Sequence, residues 1–577
     1  MSPWLRVLEA YAVAALLRTP GFHRGVEKVA RQVHRIRHGT PPEELGGTKI
    51  DEPGKSGFLG HFGDEIKAQL GAEKNKQGSA GVNMDSRAMS HGGKKSRVEE
   101  VESRTDEINA DAAWKDAQHN ASQPPKQGFF GEASVTKHNC KAAYPLLRSE
   151  NLDTSTARLD LPDESIMPSA LVTGATGILG REIVKELGQD KQTWSTVYAL
   201  SRSRKEAYAE NVKHQHIDLQ ASAQDMAKEL GNIQPEYIFF AAYLAKPDEG
   251  DAAKTNGAML ENFLEALKIT GASQKVKRII LTTGAKQYGV HLGAPKNPME
   301  ESDRWLTASD RPPNFYYVQQ DILAKKGKEQ GWDWVVTYPN DVIGVAKGNF
   351  MNLATSIGLY AAVTKELGQP LIFPGSPEFY TRFDSFTFSR LHAKFNLWAA
   401  LETNGKVSNQ AFNVVNGDVE SWQNMWPKLA NKFGLKIPER MFTAEEEEGK
   451  IDENAGSIMP LLERPPIDDF AAERGLKGTK AVKQRRVEQK IDLVKWSQRL
   501  DVKAAWEKLA KREGLEHEAF EQATWGFLGF VLGRNYDLVI NMTKARKAGW
   551  TGYQDTFESL EESLEELASE KVLPRFQ

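Results

Sequence analysis

Two segments of the chain carry residue types suited to stabilising negative charge on a carbonyl oxygen. Lys286 follows the apolar run 278–282, and Tyr316 lies further along the chain beside a second tyrosine. A tyrosine hydroxyl aimed at a carbonyl oxygen stabilises the charge that hydride addition leaves there. A free tyrosine has a pKa of about 10, and a nearby lysine ammonium favours its ionised form. A lysine and a tyrosine that meet at one site would therefore stabilise or protonate an oxyanion, with the lysine tuning the tyrosine.

The choice of phenol stays open at this point. Tyr317 and Tyr288 also lie in these two segments, and each could be the donor or a residue of the wall. In a typical short-chain dehydrogenase, a lysine stands four residues after the catalytic tyrosine. This chain has Gln320 at that position, so the generic pattern alone describes a broken site.

A glycine-rich loop spans 173–180, directly after a predicted strand. Gly174 permits a tight turn, Gly177 lets the backbone approach a pyrophosphate, and Gly180 lets a helix pack closely on the strand. A helix beginning near Gly177 directs its free N–H groups and positive dipole end at the phosphates. Because the loop joins a strand to a helix, it predicts a dinucleotide site. The expected contacts are Gly174, Thr176, Gly177, Ile178, Leu179 and Gly180.

The end of the second predicted strand indicates which dinucleotide binds. NAD enzymes usually carry an acid there, whereas this chain reads Ser-Arg-Ser-Arg over 201–204. We expect Arg202 to bind a 2′-phosphate through a charge-assisted contact, with Ser201 and Ser203 adding hydrogen bonds. Arg204 is either a second contact or a solvated loop charge. The predicted cofactor is NADPH/NADP, and its further contacts are Asp218, Leu219 and Thr283.

The order of elements predicts the fold that positions these residues. From Ser169, short β-branched runs alternate with helical segments such as 181–187 and 258–269. This alternation indicates a doubly wound parallel sheet, the NAD(P)-binding Rossmann fold, in which the carboxyl ends of the strands line the ligand crevice. Residues after about 420 predict a mainly helical part. The predicted strands are 170–173, 196–200, 216–219, 237–241, 278–282, 334–338 and 411–415.

Several motifs together resemble the progesterone 5β-reductase/iridoid synthase-like family, an atypical branch of the extended short-chain dehydrogenases. They are the glycine-rich loop, the segment 283–288, and Asn-Phe-Tyr-Tyr at 314–317 followed by Asp321-Ile322. The resemblance covers about 167–577 and includes Met351-Asn352, 411–418 and 533–550. It implies Tyr316 as the catalytic tyrosine and Lys286 as its partner, which accounts for Gln320. It also implies NADPH-dependent reduction of the carbon–carbon double bond of an activated enone.

The chain departs from the plant members of that family. It has Tyr338-Pro339-Asn340 in place of an Arg-Pro pair, Gln287 in place of a histidine, and a charged insertion at about 462–486. The plant substrates therefore do not carry over, and we expect a small apolar enone, ketone or aldehyde. The expected pocket residues, each with core packing as the alternative, are Tyr317, Met351, Asn352, Trp525, Phe527 and Trp550.

A second hypothesis is a catalytically silent NADP(H) sensor that regulates a partner, but retention of both Lys286 and Tyr316 favours the enzyme. A homodimer is one expected assembly. The net charge of −3 disfavours a nucleic-acid binder. The only cysteine, Cys140, excludes an intrachain disulfide and a cysteine-based zinc site, and no metal is expected. No apolar run reaches the roughly 20 residues of a membrane span.

The first 165 residues predict two separate segments. Residues 1–70 predict a basic helical unit, and 71–165, poor in aliphatic side chains, a disordered linker. Leu5, Leu8, Ala12 and Leu16 recur at helical spacing among basic residues, which is typical of a mitochondrial transit peptide or of a small packed helix. The expected location is cytoplasmic, with mitochondrial targeting as the alternative. The helix from Phe22 to His34 weakly resembles a small fungal mitochondrial family, which would make the chain a fusion.

The reductase-like part, 166–577, divides into a cofactor part over about 167–345 and a substrate-binding helical part over about 346–577. In that division the glycine-rich loop, Lys286 and Tyr316 all belong to the first part.

Overall fold

The computed structural model of the chain describes residues 167–202, 206–347, 351–452, 454–473 and 485–576. The predicted N-terminal helix and linker lie outside these residues, as do Ser203 and Arg204.

A sheet of seven parallel strands forms the centre of the described part, in the order β3-β2-β1-β4-β5-β6-β9. Chain direction across the sheet reverses between β1 and β4, and ligands bind at such a switch point in doubly wound folds. The predicted Rossmann fold is confirmed. The strands are β1 (Ser169–Thr173), β2 (Thr196–Ser201), β3 (Val212–His216), β4 (Tyr237–Phe240), β5 (Arg278–Thr282), β6 (Asp333–Tyr338), β7 (Val342–Ile343), β8 (Thr387–Phe388), β9 (Gln410–Asn413), β10 (Ser457–Pro460) and β11 (Arg486–Gln489).

Helices cover the sheet, which explains its apolar strands. Ile279, Ile280 and Leu281 are consecutive in β5 and fully buried, as parallel strands covered on both faces require. The helices are α1 (Gly180–Gln189), α2 (Ala223–Leu230), α3 (Glu249–Ile269), α4 (Phe315–Gln330), α5 (Leu353–Glu366), α6 (Pro377–Thr381), α7 (Ser389–Leu401), α8 (Trp422–Lys432), α9 (Ala444–Glu447), α10 (Pro466–Glu473), α11 (Leu493–Gln498), α12 (Leu500–Glu513), α13 (Trp525–Leu532), α14 (Thr543–Ala548) and α15 (Thr556–Ser569).

The helices that cover the sheet pack in two separate groups. Helices α2, α3 and α4 pack side by side, while α1 packs against α7. Two N-caps set where the helices nearest the site begin. Asp248 accepts a hydrogen bond from the N–H of Asp251 at the start of α3, and Asn314 accepts one from the N–H of Tyr316 at the start of α4. Such caps satisfy backbone donors that a helix start leaves unpaired.

The third strand was predicted in the wrong place. Pairing with β2 ends at His216, whereas the sequence analysis placed the strand at 216–219. Ile217 and Leu219 are buried and line a cavity. Their apolar side chains give the segment the sequence pattern of a buried strand. The carboxylate of Asp218 accepts a hydrogen bond from the N–H of Gln220 at 3.0 Å, which turns the chain there.

The C-terminal part is mainly helical, as predicted, with a β10–β11 hairpin in addition. Helix α5 packs against α12, α13 and α15. Arg181 on α1 forms ion pairs with Glu566 at 3.1 Å and with Glu570, which join α15 to the cofactor part. In the described ranges, no helix has the length and apolar character needed to cross a membrane.

Candidate active site

A cavity of about 300 Å³ opens at the carboxyl ends of the central strands. The glycine-rich loop borders it after β1, and Lys286 and Tyr316 border it beyond β5. The structure thus brings together most of the residues that the sequence singled out. Those in the wall are Gly174, Thr176, Gly177, Ile178, Leu179, Ser201, Arg202, Asp218, Leu219, Thr283, Lys286, Tyr316, Met351 and Phe527.

The glycine-rich loop leaves room for a pyrophosphate. Gly174 has a φ of +67°, and a Cβ there would lie 2.7 Å from the carbonyl oxygen of Ala241. A Cβ on Gly180 would overlap the carbonyl oxygen of Gly174, so the glycine lets the helix pack closely on the loop. Gly180 is not part of the cavity wall. The first helical hydrogen bond runs from the N–H of Arg181 to the oxygen of Gly177 at 2.9 Å. This cradle, with its helix N-terminus, fits the pyrophosphate of a dinucleotide.

At the far end of the cavity, residues near the ends of β2 and β3 form the wall. The Ser201 hydroxyl is hydrogen-bonded to Nε2 of His214 at 2.9 Å, a partner that the sequence analysis missed. Arg202 lines the cavity beside Asp218 and Leu219.

Lys286 forms a close ion pair that the sequence analysis did not anticipate. Its Nζ lies 2.5 Å from both carboxylate oxygens of Glu249 and 5.3 Å from the centre of the Phe315 ring. Glu249 is the first residue of α3, which begins shortly after β4 at the same edge of the sheet. That position was a usable signal, because the acidic run at 248–251 follows a strand that ends at the crevice.

Tyr316 lines the cavity with its side chain. Its hydroxyl has no hydrogen-bond partner among the described residues, and its main chain hydrogen-bonds to the side chains of Asn314 and Gln320, each at 3.0 Å. The hydroxyl lies close to Gly284, since a Cβ on that glycine would be 3.1 Å from the hydroxyl oxygen. The side-chain amide of Asn314 also donates to the carbonyl oxygen of Lys286 at 2.9 Å. Asn314 therefore links the segment that carries Lys286 to the segment that carries Tyr316.

The protonation state of Tyr316 corrects an expectation. Burial raises the pKa of Tyr316 well above its ordinary value, and the Glu249 carboxylate raises it further. The Lys286 ammonium was predicted to favour the ionised form of Tyr316. The raised pKa means instead that the hydroxyl is protonated at neutral pH, and burial is the larger of the two causes.

The hydroxyls of the two alternative tyrosines form hydrogen bonds with other residues. Tyr317 donates to the carbonyl oxygen of Gln287 at 2.8 Å and accepts from the N–H of Leu306 at 3.1 Å. Tyr288 donates to Oδ1 of Asn413 at 2.6 Å. Neither residue belongs to the cavity wall, so Tyr316 is the one of these three tyrosines that lines the cavity.

The expected pocket residues divide in the same way. Met351 and Phe527 line the cavity, whereas Asn352, Trp525 and Trp550 do not. Asn352 caps α5 by accepting from the N–H of Thr355, and the Trp525 indole donates to the carbonyl oxygen of Phe520 at 3.1 Å. For these residues the packing alternative describes the observed contacts.

Comparison with known proteins agrees with the geometry. Residues 170–449 match the family model described as PRISE-like Rossmann-fold domain. An uncharacterized protein of Schizosaccharomyces pombe is 40% identical over 411 residues, which cover 70% of this chain and 98% of that protein.

The chain belongs to the PRISE-like Rossmann-fold family.

Two further relatives of this PRISE-like chain carry names that state a reaction type. The short chain dehydrogenase gsfE of Penicillium aethiopicum is 26% identical and covers 70% of this chain and 99% of its own. The 3-oxo-Δ4,5-steroid 5β-reductase of Arabidopsis thaliana is 26% identical and covers 72% of this chain and 95% of its own. The resemblance predicted from the motifs is confirmed.

Other wall residues of this PRISE-like chain escaped the sequence analysis. The Tyr243 hydroxyl is buried without a hydrogen-bond partner in the described part of the chain, as is Nδ1 of His291. Burial, with the charge of Lys286, lowers the pKa of His291 well below its ordinary value, so its ring is neutral. Arg534 forms a buried ion pair with Asp341, with one contact of 3.0 Å.

Tyr243 follows β4 and could have been found by the rule for strand ends. Arg534 lies in the segment 533–550 that the resemblance includes, although no role was predicted for it, and nothing near His291 in the sequence marks it as a wall residue. No cluster of histidine, cysteine, aspartate or glutamate suited to a metal occurs within the described ranges.

Proposed function

We propose that the protein is an NADPH-dependent reductase that saturates the carbon–carbon double bond of a small enone. The observation that carries this proposal is the protonated Tyr316 hydroxyl, which has no hydrogen-bond partner among the described residues and lies in the cavity that the glycine-rich loop also lines. Because it lines the cavity, this hydroxyl is available to a bound ligand. A carbonyl oxygen is the acceptor that it fits.

The cofactor would lie along the strand ends. NADPH, when bound, supplies the hydride. The backbone at Gly174 and Gly177 would face its pyrophosphate, and Arg202 its 2′-phosphate. Thr283, after β5, would lie near Lys286 and Tyr316 where the reaction occurs.

The substrate side of the cavity supports an enone. Hydride addition to the β-carbon forms one C–H bond, breaks the π bond and leaves negative charge on the carbonyl oxygen. Tyr316 would donate a hydrogen bond to that oxygen and stabilise the charge as it develops. Uptake of one proton from solvent at the α-carbon then gives the saturated ketone. Met351, Phe527 and Phe530 would contact the apolar body of the substrate.

The relatives support a reduction without fixing the substrate, since one is named a steroid 5β-reductase and another a short chain dehydrogenase. Reduction of a carbonyl group would use the same Tyr316 hydroxyl, as the donor to an alkoxide.

A panel assay tests the proposal. NADPH consumption would be followed with enones, saturated ketones and aldehydes, and the products of deuteride transfer from labelled NADPH identified by mass spectrometry. We expect deuterium at the β-carbon of an enone, and loss of turnover in Tyr316→Phe. Deuterium at the carbonyl carbon would assign carbonyl reduction instead. Tight NADPH binding with no turnover on any compound would refute the reductase and favour the sensor.

A further inference from the structure

Residues 462–473, the described part of the charged insertion, form an inserted segment that packs against residues 289–294. The N–H of Ile467 donates to the carbonyl oxygen of Ala294 at 2.9 Å. Two glycines in 289–294 allow this close approach, because a Cβ on either would lie within 3.1 Å of a proline side chain of the inserted segment. The two stretches of backbone are therefore in direct contact.

The contacted stretch 289–294 forms part of the cavity wall. Val290 and His291 line the cavity, and the carbonyl oxygen of Val290 accepts a hydrogen bond from the hydroxyl of Tyr536 at 2.8 Å. His291 is only 7% exposed, and its ring forms no hydrogen bond in the part of the chain that the structure describes. The position of this ring therefore depends on how the backbone around it is held.

A buried ion pair fixes the inserted segment to the cofactor part. The side chains of Arg311 and Asp469 are 2% and 4% exposed, and their charged groups lie 3.0 Å apart. Nε of Arg464 donates to the same carboxylate at 2.8 Å, and Arg311 donates to the carbonyl oxygen of Arg464 at 2.8 Å. Because a buried charge without its partner is costly, these contacts favour one position of the inserted segment.

We propose that the inserted segment belongs to the substrate-binding side of the active site and that Asp469 is its positioning residue: it holds 289–294, and with it the His291 part of the cavity wall, in the place that the substrate requires. This inference rests on the proposed reductase function.

The candidate catalytic residues are held by other contacts. The N–H of Ala285 donates to the carbonyl oxygen of Pro339 at 2.9 Å, and the side-chain amide of Asn314 donates to the carbonyl oxygen of Lys286 at 2.9 Å. All of these partners lie outside the inserted segment. Release of the inserted segment should therefore weaken substrate binding more than it affects the chemical step or the binding of NADPH.

Hydrogen exchange, measured by mass spectrometry on the full-length protein, tests the contact without any substrate. Asp469→Asn keeps the size of the side chain and removes its charge. We expect faster exchange than in the wild type in peptides that cover 289–294, and unchanged exchange in peptides that cover 169–180 at the glycine-rich loop. Unchanged exchange in both regions would overturn the proposal.

Two further variants separate this role from a general loss of stability. Arg464→Ala removes contacts to Asp469 and leaves Arg311 paired, so it should give the same regional increase at a smaller size. Asp310→Asn is the matched control, because Asp310 also pairs with Arg464, at 2.8 Å, but is 53% exposed; it should exchange like the wild type. An increase spread equally over both regions in Arg464→Ala would overturn the proposal, as would an Asp310→Asn effect equal to that of Asp469→Asn.

Steady-state kinetics link the contact to the reaction. With an enone that the wild type reduces, the KM of Asp469→Asn should rise about fivefold or more, while kcat and the NADPH dissociation constant stay within about twofold. An unchanged KM, or equal losses in all three quantities, would refute the role in substrate binding. If the wild type reduces no compound, the proposed reductase function fails, and the exchange data alone decide whether Asp469 positions the cavity wall.

Discussion

Replacing Tyr316 and Tyr317 separately by phenylalanine should produce opposite effects on turnover and stability. The two tyrosines are adjacent in α4, yet only Tyr316 lines the cavity. Its hydroxyl makes no hydrogen bond with any described residue, so its loss should change the free energy of unfolding by less than about 0.5 kcal/mol. Removal of an oxyanion donor should lower kcat about 10²- to 10³-fold, which corresponds to roughly 3–4 kcal/mol.

The Tyr317 hydroxyl has the reverse role. It hydrogen-bonds with the carbonyl oxygen of Gln287 at 2.8 Å and the N–H of Leu306 at 3.1 Å. Phenylalanine would leave both backbone groups buried without this partner, at a cost of about 1–3 kcal/mol for each group left unsatisfied. We therefore expect a loss of about 2–4 kcal/mol in unfolding free energy, with kcat within a few-fold of the wild type.

Denaturant unfolding and steady-state kinetics on the same preparations would measure both effects. NADPH affinity serves as a control for the integrity of the cofactor part. If Tyr317→Phe loses turnover and Tyr316→Phe keeps it, the assignment of the donor is wrong. If both variants lose the same unfolding free energy, the Tyr316 hydroxyl has a structural partner and is not the free donor assigned to the site.

Three other predictions follow from the structure. Arg202→Glu should weaken NADPH binding by on the order of 1.5–3 kcal/mol or more, with a much smaller effect on NADH; equal losses for the two cofactors in a fluorescence titration would show that Arg202 does not contact the 2′-phosphate. His392 is fully buried, with Nε2 3.0 Å from Oγ1 of Thr337, and burial lowers its pKa to about 3. Its folded pKa thus lies below the unfolded value, so the stability it contributes is present above about pH 6.5 and is lost on acidification, by about 2 kcal/mol between pH 7 and 5. Denaturant midpoints should fall less over that range in His392→Gln, and equal slopes would contradict this. A chain beginning near Leu161 should keep its NADPH affinity and turnover, because the glycine-rich loop, Lys286 and Tyr316 all follow it; an inactive but soluble product would assign part of the site to the removed residues.

The sequence alone was sufficient for the framework of the site. Alternating apolar runs and helical segments predicted the parallel sheet, because strand and helix periodicities are local properties. The glycine-rich loop and Lys286 were recognised because strand ends meet at one edge of such a sheet, whereas Tyr316 was assigned through the family resemblance. The error at 216–219 has a local cause as well: Ile217 and Leu219 are apolar because they line a cavity, and the sequence does not distinguish that from strand pairing.

Only the tertiary structure decided how these residues are charged and which of them face the cavity. The turn of α4 directs the Tyr316 hydroxyl into the cavity and that of Tyr317 to the backbone of Gln287, a difference that adjacent positions in a sequence do not reveal. The pairing of Lys286 with Glu249 joins residues from two different strand ends. Such contacts depend on packing between distant segments, and a pKa depends on burial and on neighbouring charges that no local pattern specifies.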